Sequence, residues 1–406
     1  MNIFKAAFCR TFQLGFRILY PVLPYREPKE LCSDGDLTAK LRELGVDSAL
    51  LVTNESLRKL GVTASLEQAM ESAGIRCVIF DKTPANPSID SVEAAFALYQ
   101  SGKCGAVIGF GGGSCIDCAK TVAARATHPK RTVRQMAGNM KLWRKLVPLF
   151  AVPTTAGTGS EATVAAVLVD SENHRKFTVN AFPLIPHYAV LDPRNTVGLP
   201  PFYTATTGMD ALTHAVEAYI GKSTTRQTRA WSVEAVKLIF QNLPQAYANG
   251  SDLEARQAML RASYLAGMSF TRSYVGYCHT VAHTLGGRYD TPHGLANAVL
   301  LPYVLRAYGR CVYRQLKELA VAAGIADEET PAPFAAEHFV RAIKKMNADM
   351  GIPAKLSCIR PEDVETMSRF ADREGNPLYP VPRLMDALDL QQFYALVSEE
   401  NETAAH

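Results

Sequence analysis

Between about Ser48 and Asp192 the chain alternates short apolar runs with stretches of helical period. ALLVT (49–53), CVIFD (77–81), AVIGF (106–110) and PLFAVP (148–153) read as strands; SLEQAMESAG, SVEAAFALYQSG and CIDCAKTVAARA read as the amphipathic helices between them. This alternation predicts a mostly parallel sheet covered on both faces. ATVAAVLVD and KFTVNAF read as a two-stranded excursion turned by SENHR, and YAVLD closes the sheet-rich half. Beyond LDPRNTVGLPP the period is helical, as in QTRAWSVEAVKLIFQNL, LEARQAMLRASYLAGMSF and RQLKELAVAAGI. The pattern therefore predicts an α/β domain over 1–200 and an all-helical domain over 201–406, divided near Pro200 and Pro201, with the functional site in the cleft between them.

At the start of the chain Phe4, Phe8, Phe12 and Phe16 recur every four residues and the stripe ends near Pro21 and Pro24. This predicts an amphipathic helix within 1–25, packed on its own protein or on a second subunit, with a membrane surface as the rarer alternative. Arg10, Gln13 and Arg17 interrupt the apolar run, so neither a signal sequence nor a membrane span is expected. A length of 406 residues agrees with two domains, and 48% hydrophobic with 20% charged residues marks a soluble globular protein. The net charge of +4 comes without any run of five basic residues, which argues against nucleic acid as a partner. Nine scattered cysteines suit free thiols in a reducing cytoplasm.

The candidate chemistry is concentrated in YCHTVAHTLGGRYDTPHGLANAVLLP (277–302). His279 and His283 are four residues apart and share one helical face. Gly286 and Gly287 are expected to break that helix, and His293 follows Pro292 at the start of another apolar run. Upstream, GMDALTHAVEAY places Asp210 and His214 at the same spacing. A single such histidine is more often a hydrogen-bonded core residue, but clustering favours a divalent first-row metal held by three of these imidazoles and the carboxylate.

Two glycine-rich segments follow strands. Gly111 to Ser114 lead from AVIGF into a helix, where close backbone approach and free amides suit a pyrophosphate or form a plain turn. The segment is neither GxGxxG nor a Walker loop. Cys115 and Cys118 make a CxxC that reads as packing in the first turn of that helix. VPTTAGTGSEAT (152–163) offers hydroxyls after PLFAVP and suits phosphate, ribose or nicotinamide contact, or a surface turn.

Together GGGSCIDCAK, PTTAGTGSEAT, GMDALTHAVEAY and the histidine block resemble the iron-containing alcohol dehydrogenase family over nearly the whole chain from about Glu30. The resemblance implies a metal held by Asp210, His214, His279 and His293, with His283 contacting substrate or relaying a proton. It implies cofactor contacts at Gly111, Gly112, Gly113, Ser114 and Asp117 for the pyrophosphate, Thr154, Thr155 and Thr158 near the nicotinamide, and Asn86 and Lys176. Asn54 stands where many NAD-using members carry aspartate, which leaves NADP open beside the favoured NAD. Tyr277 and Thr280 are larger than is usual in the family and put the pocket size in question. Phe270, two turns before His279, is either a pocket wall or ordinary core.

The implied reaction moves a hydride between a primary or secondary alcohol and NAD(P), with Fe(II), or Zn(II) or another divalent ion, as Lewis acid on the alcohol oxygen. The expected enzyme is a cytoplasmic homodimer or higher homo-oligomer. The rival readings are a zinc enzyme of the glycerol dehydrogenase or dehydroquinate synthase kind, and a non-enzymatic protein with a structural metal.

Overall fold

A computed structural model describes residues 1–19, 23–172 and 175–399. Pro21, and Asn173 and His174 of the SENHR turn, lie outside the described residues, as does the side chain of Phe16. The chain forms two compact units, Pro24–Leu199 and Met1–Leu23 with Pro200–His406.

The first unit is α/β. Its strands in chain order are β1 (Lys29–Leu31), β2 (Ser48–Val52), β3 (Arg76–Phe80), β4 (Ala106–Gly111), β5 (Gly138–Asn139), β6 (Leu149–Pro153), β7 (Ala165–Asp170), β8 (Arg175–Asn180) and β9 (Tyr188–Val190). Six of them make a parallel sheet in the order β1-β9-β6-β4-β2-β3. β2, β4 and β6 are buried at every position, as strands covered on both faces must be. Alternate residues serve opposite faces. Leu50, Val52, Val107 and Leu149 pack with the Gly113–Thr127 helix, whereas Ala49, Leu51, Ile108, Phe110 and Phe150 pack with the Asp34–Glu43 and Ala64–Ser72 helices. The excursion pairs β7 antiparallel to β8 as its pattern predicts, and β5 adds a third strand parallel to β8.

β2 connects to β3 on one side and β3 returns to β4 on the other, so the strand order reverses between β2 and β4. In open parallel sheets that reversal leaves a crevice beyond the carboxyl ends of the strands. Asn54 follows β2 there, and Gly111 to Ser114 follow β4.

The second unit is helical. The Pro201–Ile220 helix is its axis, buried at 16 of 20 positions and started by a proline in its first turn. The Arg226–Ala248, Leu253–Ser273 and His293–Tyr308 helices pack against it. No helix among the described residues is long and apolar enough to cross a membrane.

The N-terminal helix, Ile3–Leu19, corrects two expectations. It belongs to the helical unit rather than to the α/β half. Its aromatic stripe also does not pack on its own chain but is turned outward, with Phe4 81% and Phe8 62% exposed, which corrects the own-protein alternative alone. The side chains that interrupt the stripe make the attachment. Arg10 donates to the Val381 and Pro382 carbonyls, Gln13 donates to those of Pro377 and Tyr379 at 3.0 and 2.7 Å, and Lys5 pairs with Asp372. Backbone carbonyls of an irregular segment need donors, and the polar face supplies them.

Candidate functional site

Asp210 and His214 occupy successive turns of the Pro201–Ile220 helix. His279 and His283 do so on the Tyr277–Tyr289 helix, and His293 opens the His293–Tyr308 helix. Gly286 and Gly287 do not break the second of these. It runs through them to Tyr289 and stops at Asp290, whose φ of +53° is left-handed. The turn that brings His293 back is therefore Asp290 to Pro292. Gly294 sets how close that helix comes, because a Cβ there would lie 2.3 Å from the Thr206 carbonyl oxygen of the Asp210 helix.

One ligand atom each from Asp210, His214, His279 and His293 fall within 4.8 Å of one another. His214 lies between two rings, stacked on Phe270 at 4.2 Å and on His279 at 4.5 Å between centroids. His293 Nε2 is 3.4 Å from Asp210 Oδ1, and His279 Nε2 is 4.0 Å from the same oxygen. Burial pushes His279 well below the ordinary imidazole range and His293 down to about 4, so both rings are neutral.

The proton on His279 is placed by Glu217. Nδ1 lies 2.6 Å from Glu217 Oε2, which also accepts the Gly276 N–H; burial pushes Glu217 up to about 7 against its backbone donors, and with the carboxylate ionised Nδ1 carries the hydrogen and Nε2 a lone pair. That Nε2 is buried and has no hydrogen-bond partner. A lone pair facing a carboxylate oxygen in a buried pocket is unfavourable unless a cation lies between them. Three imidazoles and one carboxylate fit a divalent first-row ion. Asn297 Nδ2 donates to Asp210 Oδ1 at 2.8 Å and lies 3.1 Å from His293 Nε2, so it fixes the carboxylate beside that ring.

The cluster has one open edge. Asp210, His214 and His279 are buried, while the side chains of His293 and His283 are 38% and 42% exposed. His283 stacks on His293 at 5.1 Å and pairs through Nδ1 with Glu374 Oε1 at 2.6 Å, and the Tyr379 hydroxyl donates to the same oxygen at 3.0 Å. Burial lowers the His283 pKa, but Glu374 more than offsets it and holds the ring above its ordinary range. Tyr277 and Thr280 do not bear on pocket size. Both are fully buried, and the Tyr277 hydroxyl donates to Asn376 Oδ1 and the Met385 carbonyl.

In the α/β unit the two glycine-rich loops meet at the crevice. Gly111, with φ of +148°, accepts from the Thr154 amide, and a Cβ on it would meet Cys115 Cβ at 2.9 Å and Leu57 Cδ1 at 3.1 Å. Gly112 caps the Gly113–Thr127 helix without a side chain, leaving first-turn amides for an anion. Thr155 lies beside Gly112, and Thr158 is so close to Gly113 that a Cβ would meet it at 3.0 Å. Asn54 caps the Glu55–Lys59 helix by accepting the Leu57 N–H, with Nδ2 turned to Cys115 Sγ.

Other expected cofactor residues have different surroundings. Asp117 turns inward, Oδ1 accepting from Ser160 Oγ at 2.6 Å and Oδ2 from the Val167 N–H at 2.8 Å, so its carboxylate ties β7 to the loop. Ser114 donates its hydroxyl to the Ala85 carbonyl. Asn86 is exposed and shares a small cavity with Ser114 and Asp117. Lys176 is exposed on β8. Cys115 and Cys118 are buried thiols pushed up to about 12, packing residues rather than a redox pair. Residues unassigned from sequence are Glu217, Asn297, Glu374 and Lys120. Glu217 had a signal, since Asp210, His214 and Glu217 follow i, i+4, i+7 spacing on one face. Glu374 and Lys120 had none.

Two family models match the chain: iron-containing alcohol dehydrogenase over residues 33–193, and Fe-containing alcohol dehydrogenase family, C-terminal, over 204–396. A 1,3-propanediol dehydrogenase of Klebsiella pneumoniae is 39% identical over 365 residues, 89% of this chain and 93% of the relative. An NAD-dependent methanol dehydrogenase of Bacillus methanolicus is 34% identical, covering 83% and 88%. Among solved structures, a 1,3-propanediol oxidoreductase superposes with a TM-score of 0.88 at 37% identity, covering 92% of this chain and 98% of the other.

Proposed function

The chain belongs to the iron-containing alcohol dehydrogenase family and is a metal-dependent alcohol dehydrogenase, and from that premise we propose that Asp210, His214, His279 and His293 hold one divalent ion, Fe(II), that NAD binds the α/β unit, and that the substrate is a short primary alcohol or its aldehyde. The observation that carries the metal assignment is the buried lone pair of His279 Nε2, aimed at Asp210 Oδ1.

When bound, the ion would supply Lewis acidity for an alcohol oxygen and the nicotinamide would supply a hydride acceptor. The chain's residues do the rest. Asp210 offsets the cation's charge. His279 and His293, neutral through burial, keep their lone pairs free of protons. His283 takes the alcohol proton at Nε2 while Glu374 holds Nδ1, and the exposed edge of the ring is where that proton leaves. Phe270, stacked on His214, forms an apolar wall. Gly112, Gly113 and Ser114 offer backbone amides to the pyrophosphate, with Thr154, Thr155 and Thr158 around them and Asn54 toward the ribose.

NAD is favoured because Asn54 retains a side-chain oxygen for a ribose hydroxyl while the nearby Arg58 is already paired with Glu67. The similarity to enzymes named for 1,3-propanediol and methanol supports a small alcohol. A structural metal is disfavoured by the exposed His283–His293 edge, since a structural site is closed. The cytoplasmic homo-oligomer expected from sequence remains part of this reading, and light scattering of the purified protein decides the assembly.

The test is oxidation of NADH and NADPH under anaerobic conditions by chelated protein resupplied with Fe(II), Zn(II) or nothing, against formaldehyde, acetaldehyde, 3-hydroxypropanal and acetone. Metal-dependent turnover of an aldehyde with NADH is expected. Equal turnover without metal, or turnover of acetone alone, overturns the corresponding part.

A further inference from the structure

Glu217 is buried at the centre of the helical unit and belongs to neither the ligand set nor the substrate edge. Its two oxygens are fully engaged. Oε1 accepts the Cys278 N–H at 2.8 Å; Oε2 accepts the Gly276 N–H at 2.7 Å and the Nδ1–H of His279 at 2.6 Å. Three donors converge on one carboxylate, all from the start of the Tyr277–Tyr289 helix.

The placement joins two ligand-bearing helices. Glu217 rises from the helix of Asp210 and His214, and it caps the helix whose first turn carries His279. That helix has no side-chain cap of its own, because Gly276 stands at the capping position. Gly276 is itself part of the fit: a Cβ there would lie 2.6 Å from Glu217 Oε1 and 3.0 Å from Cδ. A glycine that keeps space for one particular carboxylate is an observation independent of the hydrogen bonds.

We propose that Glu217 is the positioning residue of the metal centre: by accepting the Nδ1 hydrogen of His279 while capping its helix, it fixes the tautomer and direction of the ring so that Nε2 is presented to the ion. A carboxylate behind an imidazole also makes that imidazole a stronger donor. A cap alone would need only the amides of Gly276 and Cys278. The third bond distinguishes the two roles, because it reaches past the backbone to the ligand.

The proposal rests on His279 being a ligand, and the experiment separates the two claims. Chelated wild type, Glu217→Gln, Gly276→Ala and His279→Ala are titrated with Zn(II) in competition with a chromophoric chelator, and the melting temperature of each metal-free form is recorded. Glu217→Gln keeps the shape but loses the carboxylate. Gly276→Ala keeps the carboxylate and displaces it, serving also as the second variant if Glu217→Gln folds poorly. Zn(II) affinity is expected to fall about 10- to 100-fold in both, and to be lost in His279→Ala. If Glu217→Gln and Gly276→Ala melt lower without metal yet bind Zn(II) as wild type does, while His279→Ala does not bind, Glu217 is a cap only and the proposal is overturned. If His279→Ala also binds as wild type does, the ligand assignment fails and the proposal falls with it.

Discussion

Asp210 Oδ1 and His279 Nε2 face each other across 4.0 Å, one a carboxylate oxygen and the other a lone pair whose ring keeps its hydrogen on the far side. Neither can donate to the other. A cation between them would satisfy both, so the folded chain should gain stability from the ion it binds.

Added Zn(II) or Fe(II) should therefore raise the melting temperature of chelated protein, by the equivalent of about 2.7 kcal/mol when free metal is 100 times Kd. Asp210→Ala should abolish that rise while leaving a cooperative transition. A metal-induced shift in Asp210→Ala equal to that of wild type would contradict the site.

His283 and Glu374 should separate catalysis from metal binding. Proton transfer by a positioned side chain contributes roughly 10²–10⁴-fold. His283→Ala is expected to lower kcat by about 10²-fold at full metal content, and Glu374→Gln by less, since the ring remains but loses its orienting carboxylate. Metal analysis beside steady-state kinetics checks this, and loss of metal from His283→Ala would count against the assignment.

Asn54→Asp should sharpen coenzyme choice without harming the fold. Aspartate caps a helix as well as asparagine does, so the bond to the Leu57 N–H survives. The added charge repels a 2′-phosphate, and the ratio of kcat/KM for NADH over NADPH should rise about tenfold or more. An unchanged ratio would remove Asn54 from the ribose site.

Lys120 gives a pH dependence whose sign is fixed by burial. Its ammonium is fully buried, donating to Thr163 Oγ1 and the Ala165 carbonyl, and burial lowers its pKa to about 8 from an ordinary value of 10.5. Between those values the folded chain sheds a proton that the unfolded chain keeps, so stability rises with pH across that window. The cost of the buried charge is present in full below about 8. Urea midpoints from pH 7 to 10 should climb more steeply for wild type than for Lys120→Met, and parallel slopes would show that Lys120 does not titrate there.

How much of this was readable beforehand depends on how local each feature is. Asp210 with His214, and His279 with His283, follow from i, i+4 spacing, and the parallel sheet from the alternation of ALLVT, CVIFD and AVIGF with helices. Gly294 and Gly276 were not readable, because the atoms that exclude a Cβ belong to Thr206 and Glu217 on a distant stretch of chain. The length of the Tyr277–Tyr289 helix was misjudged because glycine lowers helix propensity by only about 1 kcal/mol, which tertiary packing overrides. For the N-terminal helix, aromatic periodicity marked the stripe but not which side meets its own chain, since carbonyls of the 377–382 segment bind Arg10 and Gln13.

That attachment has a consequence for the order in which the molecule is made. The α/β unit is one uninterrupted stretch, Pro24–Leu199, and is complete as soon as it has left the ribosome. The helical unit is split by it. Gln13 is synthesised before that unit, yet the carbonyls it bonds, those of Pro377 and Tyr379, follow it by 364 and 366 residues. Domains fold as units and N-terminal ones first during synthesis, so here the first helix must wait through the folding of its insert. The last contacts to form include those around Tyr379, whose hydroxyl holds Glu374 against His283. A chain released short of that segment would carry a finished nucleotide fold and three of its metal-site helices, but not the carboxylate that steadies His283.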